Sequence, residues 1–257
     1  METSRGSSLS LVTPWPDAWV SLKRRTISTM DDALQLARAG CPTGTVAAAD
    51  YQEKGRGRVP GRTWLSRPGE SLLATVVLRT AELGYALAEL PLRAGVAVAL
   101  GIEDAAGIAV EIKWPNDLVA ARGMPAAGRK LAGLLCEAHG DAALVGLGVN
   151  CAQTSFPEEI TRAACSLFQV SGRMLSASVV LSAVLDRLKA AAANEGWRDD
   201  LRARLYRRGQ PVRVDLIGPG RTLQGILRDV DDQGRLVLEL NDGRREIVTQ
   251  GELLTSP

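Results

Sequence analysis

The chain reads Gln52-Glu53-Lys54-Gly55-Arg56-Gly57-Arg58-Val59-Pro60-Gly61-Arg62-Thr63-Trp64 between two apolar runs, Val46 to Ala49 and Leu72 to Leu78. Apolar runs of this length are typical of buried strands, and functional loops commonly lie at the ends of such strands. Glycines let the backbone approach a ligand closely, and arginine side chains bind carboxylate and phosphate oxygens. The stretch therefore predicts a loop that closes over a small anionic or phosphorylated ligand, in preference to a solvated basic surface loop.

Two familiar phosphate-binding loops do not fit this stretch. A dinucleotide-binding loop requires glycine at the position of Pro60 and an acidic residue about twenty residues further on. A Walker loop requires Gly-Lys-Ser or Gly-Lys-Thr, which the chain lacks. The loop therefore belongs to another class of ligand site.

The composition of the chain excludes several classes of protein and of functional site. The 257 residues are enough for one large domain or two, and the formal net charge of +2 provides no general attraction for nucleic acid. The four cysteines form no Cys-x-x-Cys pair, and the single histidine, His139, excludes a His-pair zinc site and argues against a Ser-His-Asp triad. Without a signal peptide or a long apolar span, the sequence predicts a cytoplasmic protein that has no membrane partner. It leaves open whether the protein is a monomer or a homodimer.

Local patterns predict the secondary structure. Residues 1–11 are small and polar and are expected to form a disordered tail. Ser28, followed by the acidic pair Asp31-Asp32, is typical of a capped helix start. Helices are predicted at Thr26 to Ala39, at Leu92 to Gly107 and over Ser178 to Tyr206, the last with an interruption around Asn194-Glu195-Gly196. Strands are predicted at Val110 to Lys113, Leu131 to Glu137 and Ala142 to Val149.

The pattern changes after Arg208 to short alternating runs that are separated by Gly-Pro-Gly, Asp-Gln-Gly and Asn-Asp-Gly turns. Such spacing predicts a small β-barrel that folds largely by itself. We therefore expect a catalytic domain over residues 12–207 and a barrel domain over residues 208–257. The barrel strands are predicted at Pro211 to Leu216, Thr222 to Val230, Leu236 to Leu240 and Glu246 to Val248.

Three further segments place polar residues at strand ends. In Lys113-Trp114-Pro115-Asn116-Asp117, the proline keeps the preceding residue extended and Asn-Asp favours a turn, which brings Lys113 and Asp117 close together. Lys130 begins an apolar strand, and Gly133 leaves room for a ligand beside it. Gly146-Leu147-Gly148-Val149-Asn150 ends the next strand. Taken alone, each segment also fits a structural role: a surface turn, a snorkelling lysine at a strand edge, or a tight strand end.

Together, the segments resemble those of bacterial biotin–protein ligases in their order and spacing. The resemblance covers roughly residues 12 to 257. It rests on Ser28-Thr29-Met30, Gln52 with Gly55-Arg56-Gly57-Arg58, Lys113 to Asp117, Lys130-Leu131-Ala132-Gly133, Gly146 to Asn150 and the β-rich C-terminal part.

The resemblance implies an α+β fold, in which a mixed β-sheet with packing helices, similar to class II synthetases, precedes a small SH3-like β-barrel. It implies a two-step ligation. Biotin and Mg-ATP give biotinyl-AMP and pyrophosphate, and a lysine of a biotin carboxyl carrier domain of acetyl-CoA carboxylase or a related carboxylase then attacks the adenylate. The expected substrates and cofactors are thus biotin, ATP and Mg²⁺.

The resemblance also implies roles for individual residues. Lys130, Arg56 and Lys113 are the expected catalytic residues, and Mg²⁺ is expected to arrive with ATP, near Asp117. The expected biotin-binding residues are Ser28, Thr29, Met30, Gln52, Arg56, Gly57, Arg58, Lys130 and Gly133. The expected ATP- and adenylate-binding residues are Arg56, Arg58, Arg62, Trp64, Lys113, Asn116, Asp117, Lys130 and Asn150.

The chain departs from the family pattern at three points. Met30 replaces a frequent asparagine, so its contact with a ligand is expected through its backbone or its shape alone. Val59-Pro60 contains one additional residue, which changes the path of the second half of the loop. Too few residues precede Ser28 for the winged helix-turn-helix of many relatives, so no repressor activity is expected.

Three alternative functions are weighed against biotin ligation. A DNA-binding regulator is the least favoured, because the charge is balanced and no winged helix-turn-helix is expected, so no nucleic-acid partner is expected either. A lipoate or octanoate ligase or transferase of the same superfamily would need no polar partners for a ureido ring, so Thr29 and Gln52 favour biotin. A biotin-responsive binding protein without catalysis would not need Lys113 and Lys130.

Overall fold

The computed structural model describes residues 13–59, 61–217 and 220–254, which form a seven-stranded sheet and a five-stranded sheet with five α-helices. The expected tail at residues 1–11, Pro60 and the turn at Gly218-Pro219 lie outside these ranges. The strands are β1 Val20–Lys23, β2 Val46–Ala49, β3 Ser71–Arg79, β4 Val110–Lys113, β5 Asp117–Ala120, β6 Lys130–His139, β7 Ala142–Asn150, β8 Pro211–Leu216, β9 Thr222–Val230, β10 Leu236–Leu240, β11 Arg245–Val248 and β12 Gly251–Leu253. The helices are α1 Thr29–Arg38, α2 Leu90–Ala106, α3 Leu167–Ser171, α4 Ala177–Ala190 and α5 Trp197–Arg204.

The larger sheet is mixed and has the strand order β1-β2-β3-β7-β6-β5-β4. β1 pairs with β2 in parallel, and the remaining neighbours are antiparallel. Side chains alternate between its two faces. Val77 and Leu144 pack under α1, whereas Val76 and Val145 belong to the core that includes residues of α2 and α4. The sheet is therefore covered by helices on both faces, and α1 lies on the face that carries the candidate site.

The N-terminus of α1 is determined by its sequence. The Ser28 hydroxyl accepts a hydrogen bond from the Met30 amide at 3.3 Å, and the carboxylates of Asp31 and Asp32 lie in the positively polarised first turn. The helix ends at Arg38, and Gly40 follows with a φ of 80°. The capped helix that the sequence predicts is confirmed, and its start lies against the sheet, where the Thr29 hydroxyl accepts a hydrogen bond from Thr75 of β3.

The C-terminal sheet is antiparallel and has the order β11-β10-β9-β8-β12. Within the described residues its hydrogen bonding does not close into a ring, and this arrangement is compatible with an SH3-like domain. Its inner residues Val212 and Leu223 share one hydrophobic core with Trp197 and Leu205. This shared core argues against a barrel that folds largely by itself, and the domain boundary at residue 208 stays a prediction.

Most elements lie where the sequence predicts them, and β2, β8, β9 and β10 have the predicted bounds. Asp117, where the sequence predicts a turn, is the first residue of β5. The sequence analysis also missed the short elements β1, β5, α3 and β12, because segments of three to five residues carry little periodicity. None of the helices in the described ranges is long and apolar enough to cross a membrane.

Candidate active site

Three glycines form the floor of the site on the α1 face of the sheet. Gly133 of β6 lies opposite Gly148 of β7, and Gly146 lies between Thr75 of β3 and Leu135 of β6. A Cβ atom at Gly146 would lie 2.7 Å from the Met30 sulfur. The absence of side chains at these positions lets the side chains of Met30 and Trp64 lie directly against the backbone of the floor.

One end of the site consists of neutral hydrogen-bonding groups. The Gln52 side-chain oxygen accepts from the Thr29 amide at 2.7 Å and from the Thr29 hydroxyl at 3.0 Å. The buried Thr75 hydroxyl donates to the Thr29 hydroxyl at 2.9 Å. These bonds hold Thr29 and Gln52 in fixed orientations, so this end is preorganised for a polar, uncharged group. Thr75 was missed by the sequence analysis, although a threonine inside an otherwise apolar strand is a usable signal.

The glycine-arginine loop folds into a small hairpin over the site. Gly57 donates its amide to the Arg62 carbonyl at 2.9 Å, and Trp64 donates to the Gly55 carbonyl at 3.0 Å. The start of the loop is tied to the α1 end of the site, since the Lys54 amide donates to the Ile27 carbonyl at 2.9 Å. The glycine-arginine loop therefore forms a hairpin beside the start of α1, and its role as a lid stays a prediction.

Arg56 joins the lid to α1 and β6. Its guanidinium lies 3.1 Å from Asp31 and 3.9 Å from Glu137. Arg56, which the sequence analysis placed among the catalytic cations, is paired in this structure with carboxylates of α1 and β6. Its catalytic role stays a prediction.

Trp64 ends the hairpin, and its indole lies on the floor of the site. A Cβ atom would lie 2.8 Å from this ring at Gly148 and 3.3 Å from it at Gly133. The Lys130 ammonium lies 5.6 Å from the ring centroid, within the range of a cation–π contact. The indole N–H is buried and has no hydrogen-bond partner in the described structure. Trp64 thus covers the floor beside the cationic end.

Lys130 and Asp117 are at the centre of the cationic end. The Lys130 ammonium lies 2.6 Å from an Asp117 carboxylate oxygen, because the β5–β6 pairing brings Asp117 opposite Gly133. Lys113 lies opposite Asp117 in the β4–β5 register, as the sequence predicted. Burial lowers the pKa of the Lys113 ammonium, the neighbouring cations Lys130 and Arg62 lower it further, and the carboxylates of Asp117 and Glu252 oppose this shift.

The backbone around Lys130 is held by the segment that follows β7. The Lys130 amide donates to the Ala163 carbonyl at 2.8 Å, and the Cys165 amide donates to the Lys130 carbonyl at 2.9 Å. The Asn150 side chain donates to the carbonyls of Lys130 and Cys165 at 3.3 Å and 3.0 Å. Asn150 therefore positions Lys130 through its backbone, a contact that the sequence analysis did not predict.

The C-terminal sheet contributes the last wall. Arg58 donates to the Gly251 carbonyl at 2.8 Å and to the Asn116 side-chain oxygen at 3.1 Å, and Arg62 forms an ion pair with Glu252. Burial lowers the pKa of the Arg58 guanidinium. Glu252 was missed by the sequence analysis, because the short strand β12 carries no motif.

Three adjoining cavities meet at Trp64 and Lys130. The first runs over the glycine floor between the neutral and the cationic end. The second is lined by Arg58, Arg62, Lys113 and Lys130, and the third is bounded by Asn150, Phe156 and Ile160. Such a set of cavities is suited to a ligand with a polar head, an apolar middle and an anionic end next to a polyphosphate.

The structure brings most of the predicted site residues together. The first cavity is lined by Ser28, Thr29, Met30, Gln52, Arg56, Gly57, Arg58, Trp64, Asn116, Lys130 and Gly133, together with residues that the sequence analysis did not assign. Arg62, Lys113 and Asp117 line the second cavity and Asn150 the third. No group of three or more His, Cys, Asp or Glu side chains in the described ranges is arranged to hold a metal ion.

Comparison with known proteins identifies two matching family models. Residues 22–153 match the biotin/lipoate A/B protein ligase family, and residues 209–252 match the biotin protein ligase C terminal domain. The chain is 34% identical to a biotin–[acetyl-CoA-carboxylase] ligase of Mycobacterium tuberculosis, over 90% of this chain and 86% of that protein. It is 32% identical to the bifunctional ligase/repressor BirA of Bacillus subtilis, over 86% of this chain and 69% of that protein.

A solved structure has the same fold. The biotin protein ligase from Aquifex aeolicus in complex with biotin and ATP superposes with a TM-score of 0.78 and 27% sequence identity, covering 92% of this chain and 99% of that chain. The similarity extends over both sheets, because it covers most of the chain.

Proposed function

The chain belongs to the biotin/lipoate A/B protein ligase family, and we propose that it is a biotin–protein ligase. It activates biotin with ATP to biotinyl-AMP and transfers the biotinyl group to a lysine of a carrier domain. The family assignment supports ligase chemistry, and the lining of the pocket supports biotin as the acid that is activated.

The observation that carries this proposal is the gradient of polarity along the first cavity. Thr29 and Gln52 present neutral polar groups at one end, the glycine floor and Met30 form the middle, and Lys130 lies at the other end. Biotin has the same sequence of groups: a ureido ring, a sulfur-containing ring with an aliphatic chain, and a carboxylate. A bound biotin would therefore place its carboxylate beside Lys130.

In the first step, a biotin carboxylate oxygen attacks the α-phosphorus of ATP, and the bond to the pyrophosphate oxygen breaks. Two anions approach each other in this step, so nearby cations lower the barrier. Lys130, Lys113 and Arg58 are the cations that we assign to this task, and Arg62 binds the departing pyrophosphate. Lys130 must leave Asp117, or share its ammonium between Asp117 and the phosphate, as negative charge develops.

In the second step, the neutral amine of the acceptor lysine attacks the carbonyl carbon of biotinyl-AMP. AMP leaves with the electrons of the broken C–O bond, and the amine loses a proton as the amide forms. The mixed anhydride must be shielded from water until the acceptor arrives. We assign this shielding to the Gly55–Trp64 hairpin, with Arg56 as its anchor to Asp31 and with Trp64 packed against the adenine.

The second cavity also fits a magnesium ion that is bound to the triphosphate. Mg²⁺ is usually bound through one or two carboxylates together with the phosphates of the substrate. Asp117 is the carboxylate next to Lys130, with Asn116 beside it. The magnesium ion would neutralise part of the polyphosphate charge, and Asp117 and Asn116 are the residues that would hold it.

We assign the acceptor lysine to the biotin carboxyl carrier domain of acetyl-CoA carboxylase or a related carboxylase, because relatives that are named for this substrate cover most of the chain. The four cysteines are free thiols, three of them buried, which supports a reducing compartment such as the cytoplasm.

Incorporation of labelled biotin into a carrier domain, with and without ATP, tests the proposal. We expect ATP-dependent labelling of one carrier lysine, and no labelling if that lysine is replaced by arginine. A lipoate or octanoate ligase is the second candidate, since the matching family includes lipoate ligases. Calorimetric titration with biotin and with lipoate separates the two, and tighter binding of lipoate would reject our assignment.

A further inference from the structure

β12 of the C-terminal sheet is joined to the lid over the site at two points. Arg62 forms an ion pair with Glu252, and Arg58 donates to the Gly251 carbonyl at 2.8 Å. Both arginines belong to the hairpin, and both line the second cavity. β12 therefore holds the second half of the lid.

The ion pair lies inside the cavity that we assign to the polyphosphate. This cavity is lined by four cations and two carboxylates, namely Arg58, Arg62, Lys113, Lys130, Asp117 and Glu252. Asp117 is paired with Lys130, so Glu252 is the carboxylate that neutralises Arg62. A phosphate oxygen and a carboxylate oxygen make the same charge-assisted hydrogen bonds with a guanidinium. They also repel each other, so they compete for Arg62.

We propose that Glu252 acts as a resident counter-anion for Arg62, and that Arg62 exchanges Glu252 for the β- and γ-phosphates of the nucleotide. When pyrophosphate leaves, Arg62 forms its ion pair with Glu252 again. Glu252 is thus a positioning residue. It keeps Arg62 oriented when no nucleotide is bound, and it weakens the binding of the departing pyrophosphate by Arg62. This inference rests on the proposed function, because it takes the polyphosphate as the ligand of the second cavity.

Because the Arg62–Glu252 pair is partly exposed, breaking it costs little free energy. The side chain of Arg62 is 62% exposed and that of Glu252 is 27% exposed. Such an ion pair contributes little to stability, because water screens it. Its loss should leave the fold intact, whereas its competition with a phosphate should change the affinity for polyphosphate by about two- to fivefold.

The test is calorimetric binding of inorganic pyrophosphate and of ATP to the full chain. Glu252→Gln removes the competing charge at nearly constant size, so we expect both ligands to bind about two- to fivefold more tightly. Glu252→Asp keeps the charge and should stay closer to the parent. Glu239→Gln is the matched control, because it breaks a pair of the same type with Arg228, at 2.7 Å, in the same sheet. It should leave both affinities unchanged.

A double-mutant cycle shows whether the effect passes through Arg62. In an Arg62→Gln background, Glu252→Gln should lose most of its effect. Unchanged or weaker pyrophosphate binding in the Glu252→Gln protein, at an unchanged melting temperature, overturns the exchange, as does a parent that binds neither ligand. These measurements do not use ligation. A parent that binds pyrophosphate but does not label a carrier would reject the proposed function and leave the exchange to be decided by the binding data.

Discussion

Gly133 of β6 and Gly148 of β7 are directly paired, and the indole of Trp64 covers them both. The notch that they form exists because two glycines on different strands coincide in register. A slip of β6 by one residue would turn Gly133 to the other face of the sheet and place a side chain on the floor opposite Gly148. The site therefore depends on the β6–β7 register as much as on the loop above it.

Gly148→Ala should disturb the closed lid while preserving the fold. Its Cβ would lie 2.8 Å from the Trp64 ring, and overpacking of this kind typically costs about 1–3 kcal/mol. We expect weaker biotin binding and slower adenylate formation, measured by calorimetry and by single-turnover kinetics. Gly95→Ala in α2 is the control, since its Cβ would meet no atom within 4 Å. Parent-like biotin binding by the Gly148→Ala protein would argue that the ligand does not use the notch.

Lys130→Met should slow adenylation and leave the fold intact. The ammonium interacts more strongly with the transition-state phosphate than with ground-state ATP, and losing such a donor costs about 2.7–4 kcal/mol, or roughly 10²–10³ in rate. Lys130→Arg should recover part of the rate, because charge returns without the same position. The measurement is single-turnover adenylate formation at saturating biotin and ATP. A Lys130→Met rate within about threefold of the parent, well short of a tenfold step, would make Lys130 a structural partner of Asp117 only.

Lys113 should give the enzyme an alkaline limit. Burial lowers the pKa of its ammonium below the ordinary 10.5, so the free enzyme loses this cation as the pH rises through that lowered pKa. We expect kcat/KM for ATP to fall on the alkaline side, and Lys113→Arg to move the fall to higher pH, because arginine stays protonated. An unchanged profile in that variant would assign the limit to another group.

The same shift affects stability. Because its folded pKa lies below its unfolded pKa, Lys113 binds more protons in the unfolded chain between these two values. Its contribution to the free energy of unfolding is therefore constant below the lowered pKa and increases as the pH rises towards 10.5. Lys113→Met should flatten this part of the curve of unfolding free energy against pH, measured by chemical denaturation.

Arg56→Ala should release biotinyl-AMP faster while still allowing it to form. The side chain ties the lid to Asp31 at 3.1 Å. Since the pair is exposed, its loss is expected to cost about 0.2–1 kcal/mol. Chase experiments with preformed adenylate measure the release. Asp31→Asn should have a similar effect, and Glu53→Gln, which breaks an exposed pair with Arg25, is the control. If both Arg56→Ala and Asp31→Asn released biotinyl-AMP at the parent rate, Arg56 would not be an anchor of the lid.

Trp114→Phe should destabilise the whole protein. The indole donates to the buried Gly234 carbonyl at 3.0 Å and joins the Lys113–Asp117 segment to the C-terminal sheet. Leaving this acceptor unsatisfied typically costs about 1–3 kcal/mol. Because one core spans both sheets, a single unfolding transition at a lower denaturant concentration is expected. Two separate transitions would instead favour a self-folding barrel.

Deletion after Arg208 should likewise impair ligation, and it should also weaken the core that remains.

The sequence predicted the local parts of the site for physical reasons. Ser28 caps α1 through a bond to a residue two positions away, and the glycine-arginine loop makes its hairpin within ten residues. Contacts between residues so close in the sequence depend mainly on the residue types and on their spacing. Asn150 shows the limit: its motif was recognised, but its bonds to the Lys130 and Cys165 carbonyls depend on a segment without any pattern.

The sequence by itself determined the periods of the helices and strands, the capped start of α1, the lid and the order of the segments that identify the family. Tertiary structure alone decided that Lys130 pairs with Asp117, that Gly133 meets Gly148, and that Glu252 holds Arg62. These partners are separated by 13, 15 and 190 residues. Local propensity acts over only a few residues along the chain. Strand order and register are fixed by burial of the common core, and they therefore determine which charged side chains and which glycines lie next to each other.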